Sequence, residues 1–244
     1  MGKVLTGLEF FKEDYWKRLR GYRLGLLSNQ ASVNCDLTPA KTVIAKLLPG
    51  QLKLLFGPQH GHGGEDQDNM VETDHSFDSR MAIPIFSLYS KTREPAKELL
   101  DMIDIIIIDL QDVGTRVYTF ATTMFNCLKA AALSGKKVIL LDRPNPLGGE
   151  LLEGNLLRKE LYSFVGAYSL PIRHGLTMGE MALLFNNRLK INSDLDIIPL
   201  KGWRRSMLWR NTELRWIMPS PNMPLPETAH VYPGQVIWEG TNIS

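Results

Sequence analysis

Residues 56–70, FGPQHGHGGEDQDNM, crowd Gln59, His60, His62, Glu65, Asp66, Gln67, Asp68 and Asn69 into one loop whose turns are set by Gly57, Pro58, Gly61 and Gly63. Carboxylates with a neighbouring histidine are the equipment of general acid and base catalysis. The segment carries more polar groups than a solvated turn needs, although a plain polar loop has the same composition. His60 and His62 with Glu65 and Asp66 also resemble zinc ligands at short spacing. That reading is the weaker one, because an HxH pair needs a third ligand from elsewhere and no HExxH string is present. GxxxxGK[ST], a GxGxxG after the first strand and GxSxG are all missing, so neither a phosphate cradle nor a nucleophile elbow is indicated.

Three further loops carry polar side chains. DLQDVGTRVYT, 109–119, offers Asp109, Asp112, Arg116 and Tyr118 around a turn at Gly114, with Thr115 available as a helix cap. Arg116 fits two roles there, a structural ion pair or a bidentate clamp on a carboxylate. DRPNPLGG, 142–149, brings Asp142, Arg143 and Asn145. Asp and Asn before prolines build rigid turns, so turn-building and ligand-binding stand side by side. In RHGLTMGE, 173–180, Thr177 and Glu180 have capping-box spacing, which leaves Arg173 and His174 ahead of the helix for a site.

These loops need strands to position them. Apolar, β-rich runs recur at 22–28, 52–56, 83–88, 103–110, 137–142 and 195–200, and between them 39–48, 95–102, 119–133 and 177–189 repeat apolar residues at three- and four-residue spacing. The alternation predicts an open α/β sandwich with a mostly parallel sheet. In such a sheet ligands bind outside the carboxyl ends of the strands, where the polar loops fall. Residues 201–235 differ: Trp203, Trp209 and Trp216 precede a proline-dense run, PSPNMPLPETAHVYP, read as an ordered loop that walls the domain. The expected division is a catalytic domain over 1–200 and a Trp/Pro-rich segment over 201–244.

Composition narrows the function classes. With 244 residues and 44% of them hydrophobic, the chain can bury a full core. A net charge of +2 leaves no electrostatic footprint for nucleic acid, so no nucleic-acid partner is expected. Cys35 and Cys127 lack metal-type spacing and read as free thiols, Cys127 on a buried helix face. The amino terminus shows no apolar leader and no run is long enough to span a bilayer, so the expected compartment is the cytoplasm, without a membrane partner.

Taken together, GLE, GLLSNQASV, LLFGPQHGHGGEDQDNM, SLY, DIIIIDLQDVGTRVYTF, VILLDRPNPLGG, EGNLL, SFVGAYSLPIRHGLTMGE, PSPNMP, VYPG and EGTN are similar, in order and spacing, to bacterial exo-β-N-acetylmuramidases of peptidoglycan recycling, long catalogued as a domain of unknown function. The resemblance covers essentially the whole chain. It implies a Rossmann-like amino-terminal domain with helices on both faces of the sheet, a smaller carboxyl-terminal domain closing the cleft, and hydrolytic release of N-acetylmuramic acid from non-reducing ends of wall fragments. Two departures stand out. Where many members carry Glu in a SPEHG loop, this chain has Gln59, and an amide cannot act as a general acid or carboxylate nucleophile. EGTNIS stops where the family normally continues, so a truncated version is expected.

The resemblance and the residues together give a set of expected roles. Glu65 and Glu239 are the first pair of carboxylates for an oxocarbenium-like transition state, with Asp66 and Asp112 in reserve and His60 orienting the acid. Arg116 and Arg143 are candidates for the lactyl carboxylate, and Asn145 and Asn222 for sugar hydroxyl or acetamido groups. Gln59, Tyr118, Asp142 and His174 are expected to line the same cleft. The partner is a peptidoglycan-derived sugar; no cofactor and no metal are required. Two alternatives stay open, a catalytically silent sugar-binding paralogue and a metal-dependent hydrolase built on His60, His62 and a carboxylate.

Overall fold

A strand covered on both faces needs apolar side chains at every position rather than every second one, and Ile105–Asp109 meets that demand with four isoleucines. In the computed structural model, which describes residues 3–61, 74–90 and 92–242, this strand lies inside a seven-stranded sheet with a parallel neighbour on each side. The elements are α1 (Gly7–Glu13), β1 (Leu24–Ser28), α2 (Ala40–Leu47), β2 (Leu52–Gly57), β3 (Ser76–Asp78), β4 (Ile83–Ser87), α3 (Lys97–Leu100), β5 (Ile105–Asp109), α4 (Phe120–Leu133), β6 (Lys137–Leu141), α5 (Met178–Arg188), β7 (Leu195–Ile198) and α6 (Pro226–Gln235). Strand order is β3-β4-β2-β1-β5-β6-β7, parallel throughout except for β3 against β4.

Successive residues of each strand feed opposite layers. Ile105 and Ile107 of β5, with Ile139 and Leu141 of β6, pack against Leu8 and Phe11 of α1 and Val43 and Ile44 of α2. Ile106 and Ile108, with Val138 and Leu140, face Met124 and Leu128 of α4 and Met181 and Phe185 of α5. The expected α/β sheet with helices on both faces is therefore present. All six expected strands occur. The first begins late, at Leu24, because the backbone N–H of Arg23 donates to the Asp104 side chain at 2.8 Å instead of a sheet partner. Cys127 is buried on α4, and both cysteines are free. Among the described residues no helix is long and apolar enough to cross a membrane.

The proline-dense run needs correction. Part of it is helical: α6 starts with Pro226 at a first-turn position, where the missing N–H has no intrahelical partner to lose. Pro233 lies inside, one turn after Ala229, and the helix ends two residues later, tightening into a 3-10 turn over Val236–Gly240. Met223 and Ala229 are buried in the same core as α4 and α5, with Trp216 and Tyr232 packed against it. The edge strand β3, three residues long, is too short to leave a periodic pattern in the sequence.

Candidate active site

The chain leaves β2 at Gly57 and turns through His60, whose φ is 71°, and Gly61, whose φ is 80°. This brings Gln59 and His60 against the loop that follows β5. There the Thr119 hydroxyl donates to Gln59 Oε1 at 2.8 Å and fixes the amide. Gln59, His60, Tyr118, Thr119, Ser220, Asn222, Tyr232 and Glu239 line one open cavity of about 80 Å³. Tyr118 meets Tyr232 edge-on, ring centroids 6.3 Å apart, and stacks at a tilt on Phe120, so one wall is aromatic. Burial raises the Tyr118 phenol well above its ordinary value, and burial does the same to Tyr232, with Glu239 and Asp112 adding to it. Desolvation also lifts the Glu239 carboxyl above the usual range.

Five of the expected residues thus share this cavity: Gln59, His60, Tyr118, Asn222 and Glu239. Glu65 and Asp66, like His62, lie outside the described residues. Ser220 and Tyr232 were not foreseen. Ser220 lies two residues before Asn222, and Tyr232 belongs to the helix that the prolines disguised.

The remaining candidates are engaged in building the rim. Asp112 accepts from the Gly114 N–H at 2.7 Å, and its Oδ2 stands 3.4 Å from His174 Nε2. His174 Nδ1 accepts from the Leu176 N–H at 3.1 Å, which assigns the ring proton to Nε2, facing Asp112. Among the described residues Asp112 Oδ1 is buried without a hydrogen-bond partner. The Asp112–His174 pair therefore backs the aromatic wall electrostatically and does not line the cavity, which corrects the placement of both residues. Gly114, with φ 83°, is required here because a side chain would collide with Asn145 and Leu147. Thr115 caps no helix: α4 begins after Thr119.

Arg116 donates from Nη1 to the carbonyls of Asn155 and Leu170, so its guanidinium ties two loops together and is not an anion clamp in this cavity. Arg143 is held by Asp109 through Nε and Nη2, and Nη2 also reaches the Val33 carbonyl at 3.0 Å. It is not available to a lactyl carboxylate there. Asn145 accepts from the Leu147 N–H at 2.9 Å and donates to the Leu176 carbonyl at 3.0 Å, so the DRPNP string builds a turn. Arg173 pairs with Glu153 at 2.7 Å and donates to the Leu147 carbonyl, so it is not left for a site. Thr177 and Glu180 form the expected capping box. Among the described residues no group of three His, Cys, Asp or Glu is placed to hold a metal ion.

Asp142 is likewise structural. It accepts from the Gly179 N–H at 2.8 Å, the Thr177 hydroxyl at 2.9 Å and the Arg143 N–H at 2.9 Å at the start of α5. Burial nevertheless pushes its carboxyl up to about 6, the three donors opposing. The unfolded chain releases this proton near pH ~4, so the native state binds it more tightly, and the group's contribution to stability falls as pH rises from about 4 to about 6. Asp142→Asn removes that slope. Its stability relative to the wild type should climb by on the order of 3 kcal/mol across the window, read from urea midpoints below and above it. Parallel pH profiles for the two proteins would contradict the assignment.

An open parallel sheet with a polar cavity beyond its strand ends is the layout of α/β enzymes that bind small molecules. The chain matches the family model described as Exo-beta-N-acetylmuramidase NamZ, N-terminal, over residues 24–227, and it belongs to this family. Peptidoglycan beta-N-acetylmuramidase NamZ of Bacillus subtilis (strain 168) is 43% identical over 242 residues, covering 99% of this chain and 58% of that protein. Crystal structures of two DUF1343 family proteins from Bacteroides fragilis NCTC 9343 superpose with TM-scores of 0.89 and 0.84 at 38% and 30% identity, covering 97% and 98% of this chain. They cover 60% and 63% of those chains, so this chain spans about three fifths of the relatives it matches.

Proposed function

We propose that this chain carries the sugar-binding and catalytic residues of a glycoside hydrolase that releases N-acetylmuramic acid from non-reducing ends of peptidoglycan fragments. The observation that carries the proposal is the placement of Glu239, a carboxyl raised by desolvation, across one cavity from Gln59, His60 and Asn222. A carboxylic acid whose pKa is raised stays protonated over a wider pH range and can donate its proton to the leaving glycosidic oxygen as the oxocarbenium-like centre forms, while a second carboxylate serves the opposite face. Glu65 and Asp66, in the segment that follows His60, are the proposed source of that second group. Tyr118 and Tyr232 supply an aromatic wall for the pyranose ring, and the Gln59 and Asn222 amides suit its acetamido and hydroxyl groups. The lactyl carboxylate is not assigned a partner, because the described residues lining the cavity include no arginine or lysine.

The relative's name, a peptidoglycan beta-N-acetylmuramidase, supports the substrate class. A second reading is favoured by one residue. Gln59 stands in the loop after β2 where many members of the family carry Glu, and an amide there binds sugar without ionising. The two readings separate in an assay of this chain on a chromogenic β-N-acetylmuraminide with the glucosaminide beside it. Turnover that prefers the muraminide and is abolished by Glu65→Gln supports the hydrolase. Saturable binding of N-acetylmuramic acid without turnover, with activity appearing in Gln59→Glu, establishes the silent binder instead.

A further inference from the structure

Helix α4 carries two apolar stripes where packing on the sheet needs one. Met124, Leu128 and Ala131 fall on one face and are fully buried in the core. Phe125, Lys129, Ala132 and Leu133 repeat at three- and four-residue spacing on the adjacent face and form one wall of an open groove of about 600 Å³. The turn after α5 supplies a second wall with Leu189 and Ile191, and the loop before α5 a third with Lys159, Tyr162 and Ala167. Helix α4 ends at Leu133, just before β6 begins at Lys137, so the groove lies towards the amino ends of the strands, away from the Glu239 cavity.

Leu133 is 86% exposed, more than any other large apolar side chain among the described residues, so this stripe meets water rather than a neighbouring element. The charge at the groove has one sign. Its charged lining residues are Lys129 and Lys159, with no carboxylate among them. Lys129 is neutralised by Glu94 at 2.8 Å. Glu160, beside Lys159 in the chain, is taken by Arg158 at 3.4 Å, so among the described residues Lys159 keeps an uncompensated ammonium. Size points to the kind of occupant. Small-molecule sites enclose roughly 300 to 1,000 Å³, whereas a stable protein interface uses roughly 20 to 30 residues a side, and ten residues line this groove.

We propose that this groove binds a single-chain amphiphilic anion, a hydrocarbon tail that ends in a carboxylate. The tail lies along Phe125, Leu133, Leu189 and Ile191, and the Lys159 ammonium receives the head. The site is separate from the Glu239 cavity and does not rest on the hydrolase reading.

The test is a titration of the ¹⁵N-labelled chain with octanoate, beside hexanoate and decanoate, all below micelle-forming concentrations. The backbone amides of Ala132, Ala167 and Ile191 should shift saturably, and affinity should rise by up to about fourfold for each methylene the groove buries. Lys159→Gln should weaken octanoate by about two- to fivefold, the effect of one exposed charge pair, and leave 1-octanol as it was. Leu133→Gln alters a side chain already in solvent, so it should weaken both ligands with the melting temperature unchanged. The proposal is overturned if no saturable shift appears, if 1-octanol binds the native chain as tightly as octanoate does, if both variants bind octanoate as the native chain does, or if the shifts fall around Glu239 instead. Binding to phosphatidylglycerol vesicles without any response to free octanoate would also overturn it, in favour of a membrane surface.

Discussion

Replacing Arg143 with alanine should remove about 3 to 5 kcal/mol of folding stability, out of roughly 5 to 15 kcal/mol for a typical domain. The reason is the partner left behind. Asp109 ends β5, an interior strand, with its side chain fully buried, and the Arg143 side chain is 4% exposed. The guanidinium meets both carboxylate oxygens and the Val33 carbonyl, so truncation strands a buried charge. Arg143→Lys should recover little, because an ammonium cannot reproduce the forked contact. Replacing both partners by apolar residues of similar volume should restore most of the loss, since an intact buried pair adds little over good packing. Urea unfolding of the single and double variants measures this. A single variant that folds normally and loses only affinity for carboxylate-bearing sugars would return Arg143 to the ligand.

That contrast shows what the sequence could tell. The sheet was legible because burial on both faces leaves unbroken apolar runs such as Ile105–Ile108, and the capping box was legible because Thr177 and Glu180 have a fixed spacing. The loops after β2 and β5 were placed at the rim by the rule that ligands bind at the carboxyl ends of parallel strands, and Gln59, His60 and Tyr118 do meet there, joined by Asn222 and Glu239, which the family resemblance had singled out. What periodicity cannot encode is the direction of a side chain in an irregular loop. Asp112, Arg116, Asp142, Arg143 and Asn145 follow strand ends and His174 precedes a helix, as binding residues would. The backbone there has donors and acceptors outside the sheet ladder, however, and these side chains satisfy them. Proline misled for a related reason: at a helix start its missing N–H costs nothing, so Pro226 opens α6 in a stretch that reads as a breaker.

Glu239→Gln should lower kcat on the proposed muraminide substrate on the order of a hundredfold to ten-thousandfold while leaving the fold and sugar affinity close to those of the native chain. The side chain projects from an exposed 3-10 turn at the cavity wall, so the swap removes ionisation and little else. The pH profile gives the sign of the role. Desolvation holds this carboxyl above its ordinary value, which keeps it protonated further towards neutral pH. A general acid works only in that form, so kcat should fall as pH rises through the Glu239 pKa. A bound lactyl carboxylate would move that limb to higher pH by like-charge repulsion. The limb should vanish in Glu239→Gln, whose residual rate depends only on the other catalytic group. Unchanged turnover with the same alkaline limb would place the acid elsewhere, in the segment that carries Glu65 and Asp66. Loss of activity with an altered fold would instead mark Glu239 as structural, an outcome that circular dichroism and sugar binding distinguish from loss of a proton donor.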